Sequence, residues 1–343
     1  MTLQILELGE SSSAQWDAFV KAQSDGTFFH LSGWKIVLEK VFGHRTHFLL
    51  ASREGQIEGV LPLAHVKSRL FGNSLSSLPF CVYGGIVAAN REASAALRKA
   101  ACEMATRLNV DALELRNINA SSADWPTKNL YATFRKNIVA DHEENMKAIP
   151  SKQRTMIRKG IRNELHSEMV IDPERIFRVY SESVRNLGTP VFTRKYLKVL
   201  QEVFAKDCST LMITHDGRDV AGVLSFFYKD QVLPYYGGSI KEARNIKAVN
   251  DFMYWELMCR AADTGFTLFD FGRSKVGTGP YNFKRNWGFE PEPLHYEYFL
   301  VKSDKVPEVN PNNPKYQKMI NAWKKLPLSV ANTVGPILAK SLG

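Results

Sequence analysis

Residues 272–289 read GRSKVGTGPYNFKRNWGF. The stretch sets Gly272, Gly277 and Gly279 among the cations Arg273, Lys275, Lys284 and Arg285. Glycines let a backbone turn close to a ligand, and cations around such a turn hold phosphates or a developing oxyanion. Arg273 and Lys275 are candidate phosphate ligands. Lys284 is the candidate for an oxyanion or a donor phosphate. Asp270 and Tyr281 are the groups able to manage a proton. A plainer reading stands beside each of these. Lys284 is a solvated helix lysine, Phe283 a core residue, and Asp270 a strand-end acid that caps the next turn. The stretch is not a Walker loop, because Gly277 is followed by Thr278 where that loop demands Lys.

Two further groups carry chemistry. SKQRTMIRKGIRNEL (151–165) reads as a helix with Met156, Ile157, Ile161 and Leu165 on an apolar stripe. Arg154, Arg158 and Arg162 fall at i, i+4 and i+8, where like charges repel by roughly 0.2–0.5 kcal/mol per pair. An anion should compensate them: substrate phosphates, a tRNA backbone, or the protein's own acids. Tyr235 and Tyr236, before Gly237-Gly238, are placed to line an acceptor pocket or to pack in the core. No metal site is expected. His44 and His47 form an HxxH with no third ligand, and His30 stands alone. Neither GxSxG nor HExxH occurs.

The elements that must position these residues occur twice. WKIVLEKVFGHRTHFLLASREGQIEGVLPL (34–63) parallels YLKVLQEVFAKDCSTLMITHDGRDVAGVLSF (196–226). Each is a helix ending in Val-Phe, then a strand, an acid-Gly turn and a second strand. Glu54-Gly55 and Asp216-Gly217 are hairpin signals. LPFCVYGGIVAAN (78–90) parallels VLPYYGGSIKEAR (232–244), with Tyr-Gly-Gly in both and Tyr83-Gly84-Gly85 matching Tyr236-Gly237-Gly238. Residues 95–117 parallel 251–273: a helix, a turn, and a strand with Glu114 or Asp270 near its end. The order predicts an α/β fold made of two tandem domains, each a mixed, mostly antiparallel sheet flanked by helices. The halves are expected at 1–148 and 149–301, with 302–343 as a tail opened by VPEVNPNNP.

The duplication, the IPSKQRTMIRKGIRN helix, the FGRSKVGTGPYNFKRNWGF stretch and the basic tail together resemble the FemAB superfamily of tandem GNAT-like folds. The likeness extends to FemAB-like proteins associated with the exosortase/PEP-CTERM system and its exopolysaccharide loci. The resemblance implies an acyltransferase or aminoacyltransferase that acts on an amine of a cell-envelope or exopolysaccharide-type acceptor. It implies that Phe283-Lys284 is the late Phe-Lys pair of the acyl-transfer site. No tightly bound cofactor is implied. The co-substrate would be aminoacyl-tRNA or acyl-CoA, and the acceptor a phosphorylated, nucleotide-linked or lipid-linked sugar. The [QR]xxGx[GA] loop of ordinary GNAT enzymes is not spelled at either expected place, 83–99 or 235–252. The rival reading is a non-catalytic binding or assembly factor of an exopolysaccharide system.

Composition narrows the setting. With 44% hydrophobic and 23% charged residues among 343, the chain is an ordinary globular protein of about two domains. The net charge of +10 suggests anionic partners, including tRNA. Cys81, Cys102, Cys208 and Cys259 are scattered without a CxxC pair and read as reduced thiols of a cytoplasmic protein. No signal peptide or membrane span is expected. PKYQKMINAWKKLPLSVANTVGPILAKSLG (314–343) has five lysines and no acid. Such an amphipathic segment either lies on the inner membrane surface or packs on the protein itself.

Overall fold

A computed structural model of the protein describes residues 2–68, 72–120, 124–306 and 314–341. In chain order the first elements are β1 (Gln4–Glu7), α1 (Ser13–Ala22), α2 (Gly33–Val37), β2 (Arg45–Arg53), β3 (Gln56–Ser68), β4 (Gly72–Ser76), β5 (Val87–Ala88), α3 (Arg91–Arg107), β6 (Ala112–Asn117) and β7 (Thr127–Lys128). Then come β8 (Tyr131–Asn137), α4 (His142–Lys147), α5 (Ser151–Ile161), β9 (His166–Val170), α6 (Pro173–Leu187), α7 (Arg194–Phe204), β10 (Cys208–His215), β11 (Arg218–Tyr228) and β12 (Gln231–Ser239). The last are α8 (Val249–Asp263), β13 (Leu268–Asp270), β14 (Ser274–Lys275), α9 (Gly279–Asn286), β15 (Pro291–Pro293), β16 (His295–Leu300), α10 (Pro314–Trp323) and α11 (Leu328–Ala339).

These build two eight-stranded mixed sheets. The first runs β1-β2-β3-β4-β6-β16-β7, with β5 on β3; the second runs β14-β8-β13-β12-β11-β10-β9, with β15 on β8. The expected hairpins form. Glu54 and Gly55 have φ 52° and 78°, and Asp216 and Gly217 have φ 50° and 71°. Two left-handed residues in a row are what a two-residue turn between twisted strands requires. Each sheet has a parallel pair inside: β4 with β6, and β12 with β13. Side-chain caps fix the helix starts. Asn90 accepts from the Ala93 amide, Asp172 from Glu174 and Thr193 from Tyr196.

The chain divides into two compact units whose edges differ from those expected. The first holds the chain up to Tyr131 and takes back β16; the second holds Ala132–Glu292 and the tail helices up to Ala339. The boundary at 148 fails because β8, from 131 onward, pairs with β13 in the second sheet. The boundary at 301 fails because β16 pairs with β6 in the first. Each half lends a strand to the other's sheet, and such short strands carry no local sequence signal.

The core of the second unit gathers Phe134, Ile157, Val223, Phe252, Met258, Phe269, Phe271 and Trp287, all buried. The core of the first gathers Leu49, Leu61, Leu75, Leu97, Leu113 and Leu115. On α5 the buried face is Gln153, Ile157 and Gly160, and Ile161 is exposed, contrary to the expected stripe. Gly160 is the reason. A Cβ there would stand 2.8 Å from the Phe252 Cβ and 2.9 Å from the Ala248 carbonyl, so its bare backbone lets α5 lie directly on α8.

The tail is not a free extension. Ala331, Gly335 and Ala339 of α11 are buried, and Gly335 sits against Val191. In α10, Ile320 meets Gly188. Among the described residues no helix is long and apolar enough to cross a membrane.

Candidate functional site

The parallel pair in the second sheet is short. Gln231 and Val232 of β12 pair with Leu268 and Phe269 of β13, and no later β12–β13 pair follows. β12 continues to Ser239 in register with β11 only. Past Asp270 the chain stays on β8, with which β13 is already paired, and the Phe271 amide donates to the Phe134 carbonyl at 2.9 Å. The two strands therefore splay, and the residues after β13 form one wall of the opening.

That wall is built by Asp270 and Lys284. Asp270 is 1% exposed. Its Oδ1 accepts the Gly272 amide at 2.7 Å and the Thr133 hydroxyl at 3.4 Å. Gly272 has φ 65°, a left-handed turn that lets the chain double back so soon after the strand. Lys284 comes from α9, which starts at Thr278 with Pro280 in its first turn, one of the few places a helix accepts proline. Its Nζ donates to the carbonyls of Phe271, Gly272 and Arg273 at 2.7, 2.9 and 3.3 Å. It also lies 5.4 Å from the Phe134 ring centre. Burial pulls the Lys284 pKa down to about 7; Asp270 opposes this and Arg273 adds to it. Three carbonyls around one nitrogen favour the ammonium, which has three protons to give.

Asp270, Arg273, Tyr281 and Lys284 thus meet at one turn, and Lys275 follows on β14. Tyr281 is half-buried, edge-on to Phe134 at 5.2 Å. Phe283 packs in the core against Tyr254 and Trp287. The oxyanion reading of Lys284 is narrowed, since contact with a substrate oxygen requires release of one carbonyl. The solvated-lysine reading does not hold, because Lys284 is buried.

Other expected residues lie elsewhere. Tyr236 is buried among Tyr180, Phe192 and Tyr196, and it shares a 2.7 Å hydrogen bond with the Tyr196 hydroxyl. A bulge in the β11–β12 register leaves Tyr235 as the extra residue, stacked toward Phe226. The pair packs on the α6–α7 side. Arg154 is tied to the carbonyls of Lys147 and Ile149 at 3.0 Å each. Arg158 and Arg162 are exposed and make no ion pair among the described residues.

The three histidines have structural partners. His30 meets the Gly85 carbonyl, His44 the Lys340 carbonyl, and His47 the Glu7 carboxylate.

One residue was missed. Asp251, in the first turn of α8, is 8% exposed and accepts from Gln153 on α5 and from the indole of Trp287 at 3.4 Å. Burial raises its pKa to about 6, against the hydrogen bonds of Trp287, its own backbone and Gln153. The sequence shows only one acid in a helix; that its partners come from α5 and from the end of α9 is a tertiary fact.

The first sheet handles the same place differently. After β4 the Ser77 amide donates to the Glu114 carbonyl at 2.8 Å, and the Gly84 amide donates to the Arg116 carbonyl at 3.2 Å. The buried Arg116 guanidinium donates to the carbonyls of Leu78 and Cys81 at 2.9 and 2.6 Å. Residues 77–85 plug the gap. Tyr83-Gly84-Gly85 lies in this plug, whereas Tyr236-Gly237-Gly238 lies on a strand, so the two do not share a structural role.

Residues 151–285 match the family model of the acetyltransferase (GNAT) domain. The match falls wholly within the second unit and ends just past Lys284. Among solved structures, FemX aligns with TM-score 0.66 at 16% identity, covering 92% of this chain and 100% of its own. A tandem GNAT protein from the clavulanic acid biosynthesis pathway gives 0.56 at 12%, covering 87% and 98%. L-PGS from Bacillus licheniformis gives 0.57 at 13%, covering 94% and 98%. These likenesses establish the fold: two mixed sheets flanked by helices, as in tandem GNAT-like proteins. The sequence matches no curated protein. The GNAT-type domain, with this fold, supports an acyltransferase.

A GNAT fold uses acyl-CoA as co-substrate, with its diphosphate on the amides that open the helix after the fourth strand. Here that helix is α8. Its N-cap, Ala248, is left-handed at φ 66° and has no side-chain cap. Its first turn carries the Asp251 carboxylate, which already supplies negative charge at that end. No glycine lies between Gly238 and α8. The residues present do not fit a diphosphate cradle of backbone amides. What the segment offers is side-chain charge: Lys241, Arg244 and Lys247 are exposed, and Asn163 at the end of α5 donates to the Lys247 carbonyl at 2.5 Å.

Proposed function

We propose that the chain is an N-acyltransferase of the FemAB-like kind that works in the splay between β12 and β13. The observation that carries this reading is the contrast between the sheets: among the described residues no ladder joins β12 to the chain after β13 beyond Val232 and Phe269, whereas in the first sheet 77–85 lie in the corresponding place around Arg116. An amine of a sugar or cell-envelope acceptor attacks an activated acyl carbonyl. The C–N bond forms, the ester or thioester bond breaks, the amine loses a proton, and the leaving oxygen or sulfur gains one. No enzyme nucleophile is needed. Asp270 and Lys284 hold the turn, Arg273 and Lys275 bring positive charge to the donor, and Tyr281 serves the proton.

Aminoacyl-tRNA is the donor this reading favours. The exposed row Lys152, Arg158, Lys159 and Arg162 runs on toward Lys247 and Arg244, and side-chain cations suit a phosphate backbone. The acceptor belongs to the exopolysaccharide or cell-envelope class. The test is transfer of a labelled aminoacyl group from charged tRNA, beside labelled acetyl-CoA, to an amino-sugar acceptor. Label passing from the tRNA and lost in Tyr281→Phe supports the reading. Label passing only from acetyl-CoA overturns the choice of donor.

A seat at the membrane surface is the second reading, and α11 favours it. Val330, Val334 and Ile337 are exposed at i, i+4 and i+7, opposite the packed face, with Met319 exposed on α10 and Lys318, Lys324 and Lys325 nearby. Such a face suits an anionic leaflet and a lipid-linked acceptor, or an assembly role there. Flotation with vesicles containing anionic lipid tests it, and Val334→Asp/Ile337→Asp should abolish binding.

A further inference from the structure

A cavity of about 670 Å³ opens on the second unit. Its walls are α6, the tip of the β10–β11 hairpin, Ile240 after β12, and Leu328 and Asn332 of α11. The size is that of a small-molecule site, well beyond a single ion. Four arginines line it, Arg175, Arg178, Arg194 and Arg218, against two acids, Asp219 and Glu182.

The arginines are not equivalent. Arg175 is committed: its Nε and Nη2 take the two oxygens of Asp219 at 3.1 and 2.6 Å, and Nη2 also reaches Glu168 at 2.6 Å. It acts as a scaffold that neutralises Asp219. Arg178 reaches the same carboxylate only at 3.5 Å and is 66% exposed. Arg194 rests over the Phe177 ring at 4.9 Å, and its partner Glu174 is an exposed acid at 3.1 Å, a pair of small worth. Arg218 makes no ion pair among the described residues. Glu182 does not offset these charges fully, because its Oε1 accepts the Lys241 amide at 2.8 Å. Three guanidinium groups with donors to give therefore surround the space, and such groups hold phosphate with paired hydrogen bonds.

Beyond the guanidinium groups, Phe177, Val179, Ile240 and Leu328 supply apolar wall, and Ser181 and Asn332 are neutral polar residues of the lining. Such a mixed wall suits the carbon skeleton and hydroxyls of a sugar. We propose that this cavity binds a phosphorylated sugar, with the phosphate on Arg178, Arg194 and Arg218 and the sugar against the neutral wall. Ile240 places its edge just past the end of β12, and Leu328 and Asn332 of the tail helix line one side. Its ligand would be either the phosphorylated acceptor or a related compound that holds α11 in place.

Isothermal titration of the full chain tests this with three probes: glucose 1-phosphate, inorganic phosphate and glucose. Saturable binding of glucose 1-phosphate is expected, with inorganic phosphate weaker and glucose without effect. Arg178→Ala/Arg218→Ala, on exposed side chains, should weaken binding at least tenfold. Absence of saturable binding for both phosphates, or equal affinity in the double variant, overturns the site. Equal affinity for inorganic phosphate and glucose 1-phosphate in the wild type overturns the sugar.

Discussion

Lys284 donates to the Phe271 carbonyl at 2.7 Å across the turn that begins at Asp270, while the Asp270 carboxylate takes the Gly272 amide at 2.7 Å. The carbonyls of the turn point to the lysine and one of its amides to the acid. Neither side chain can be removed without freeing the turn. Lys284→Met leaves three carbonyls without their donor, and the loss should be about 3 kcal/mol of stability. Urea denaturation checks it. A stability within 0.5 kcal/mol (roughly the scatter for a surface lysine) would mean the turn does not depend on Lys284.

Asp251 makes stability depend on pH. Its folded pKa, raised to about 6, lies above the ordinary carboxylate value of 3.8. The folded state therefore holds the proton more tightly. That contribution is complete below about pH 4, fades as pH rises toward 6, and is gone above it. The shift corresponds to about 3 kcal/mol. Asp251→Asn keeps an acceptor for Trp287 and has no charge to bury. Thermal melts from pH 4 to 8 should show the variant gaining on the wild type up to pH 6 and holding a constant lead beyond. Parallel curves would show that Asp251 is not the titrating group.

Arg116 stands beside residues 77–85 of the first unit and donates to the carbonyls of Leu78 and Cys81. It fastens the plug, so Arg116→Met should strip the Leu78 and Cys81 carbonyls of their donor and destabilise the protein by about 3–5 kcal/mol. Leu78 and Phe80 hold left-handed conformations, φ 63° and 69°, within the plug, and they would be the first to relax. Hydrogen exchange at 77–85 should rise in the variant while exchange at 233–239 stays as it was.

Arg158→Ala/Arg162→Ala removes exposed cations that pair with no acid among the described residues. Melting should be unchanged. Retention of tRNA on a filter should weaken, and the slope of log affinity against log salt should fall by about two. An unchanged slope would remove α5 from the donor surface.

What the sequence shows and what it hides follows from range. Glu54-Gly55 and Asp216-Gly217 are read at once because a turn is a local matter. The Asn90, Asp172 and Thr193 caps are of the same kind. The exchange of β8 and β16 is invisible, since a short strand takes its partner from the whole sheet. Tyr83-Gly84-Gly85 and Tyr236-Gly237-Gly238 look alike in sequence and part in space, because Arg116 holds the first and a β-ladder holds the second. Asp270 and Lys284 are picked out by the glycines and cations that crowd the stretch and by the resemblance of Phe283-Lys284 to the family's Phe-Lys pair. That the lysine's protons go to carbonyls requires the turn itself. The arginines of the α6 cavity, scattered from 175 to 218, draw no attention until the helix and the hairpin bring them together.

The central claim is that acyl transfer belongs to the second splay. A charged tRNA analogue with a stable amide link and a photoreactive acyl group tests it most directly. Irradiation followed by mass spectrometry of the labelled peptides should place the label in 233–239 or 271–285. Label in 77–86 or 112–117, or none on a protein that retains the tRNA, would contradict it.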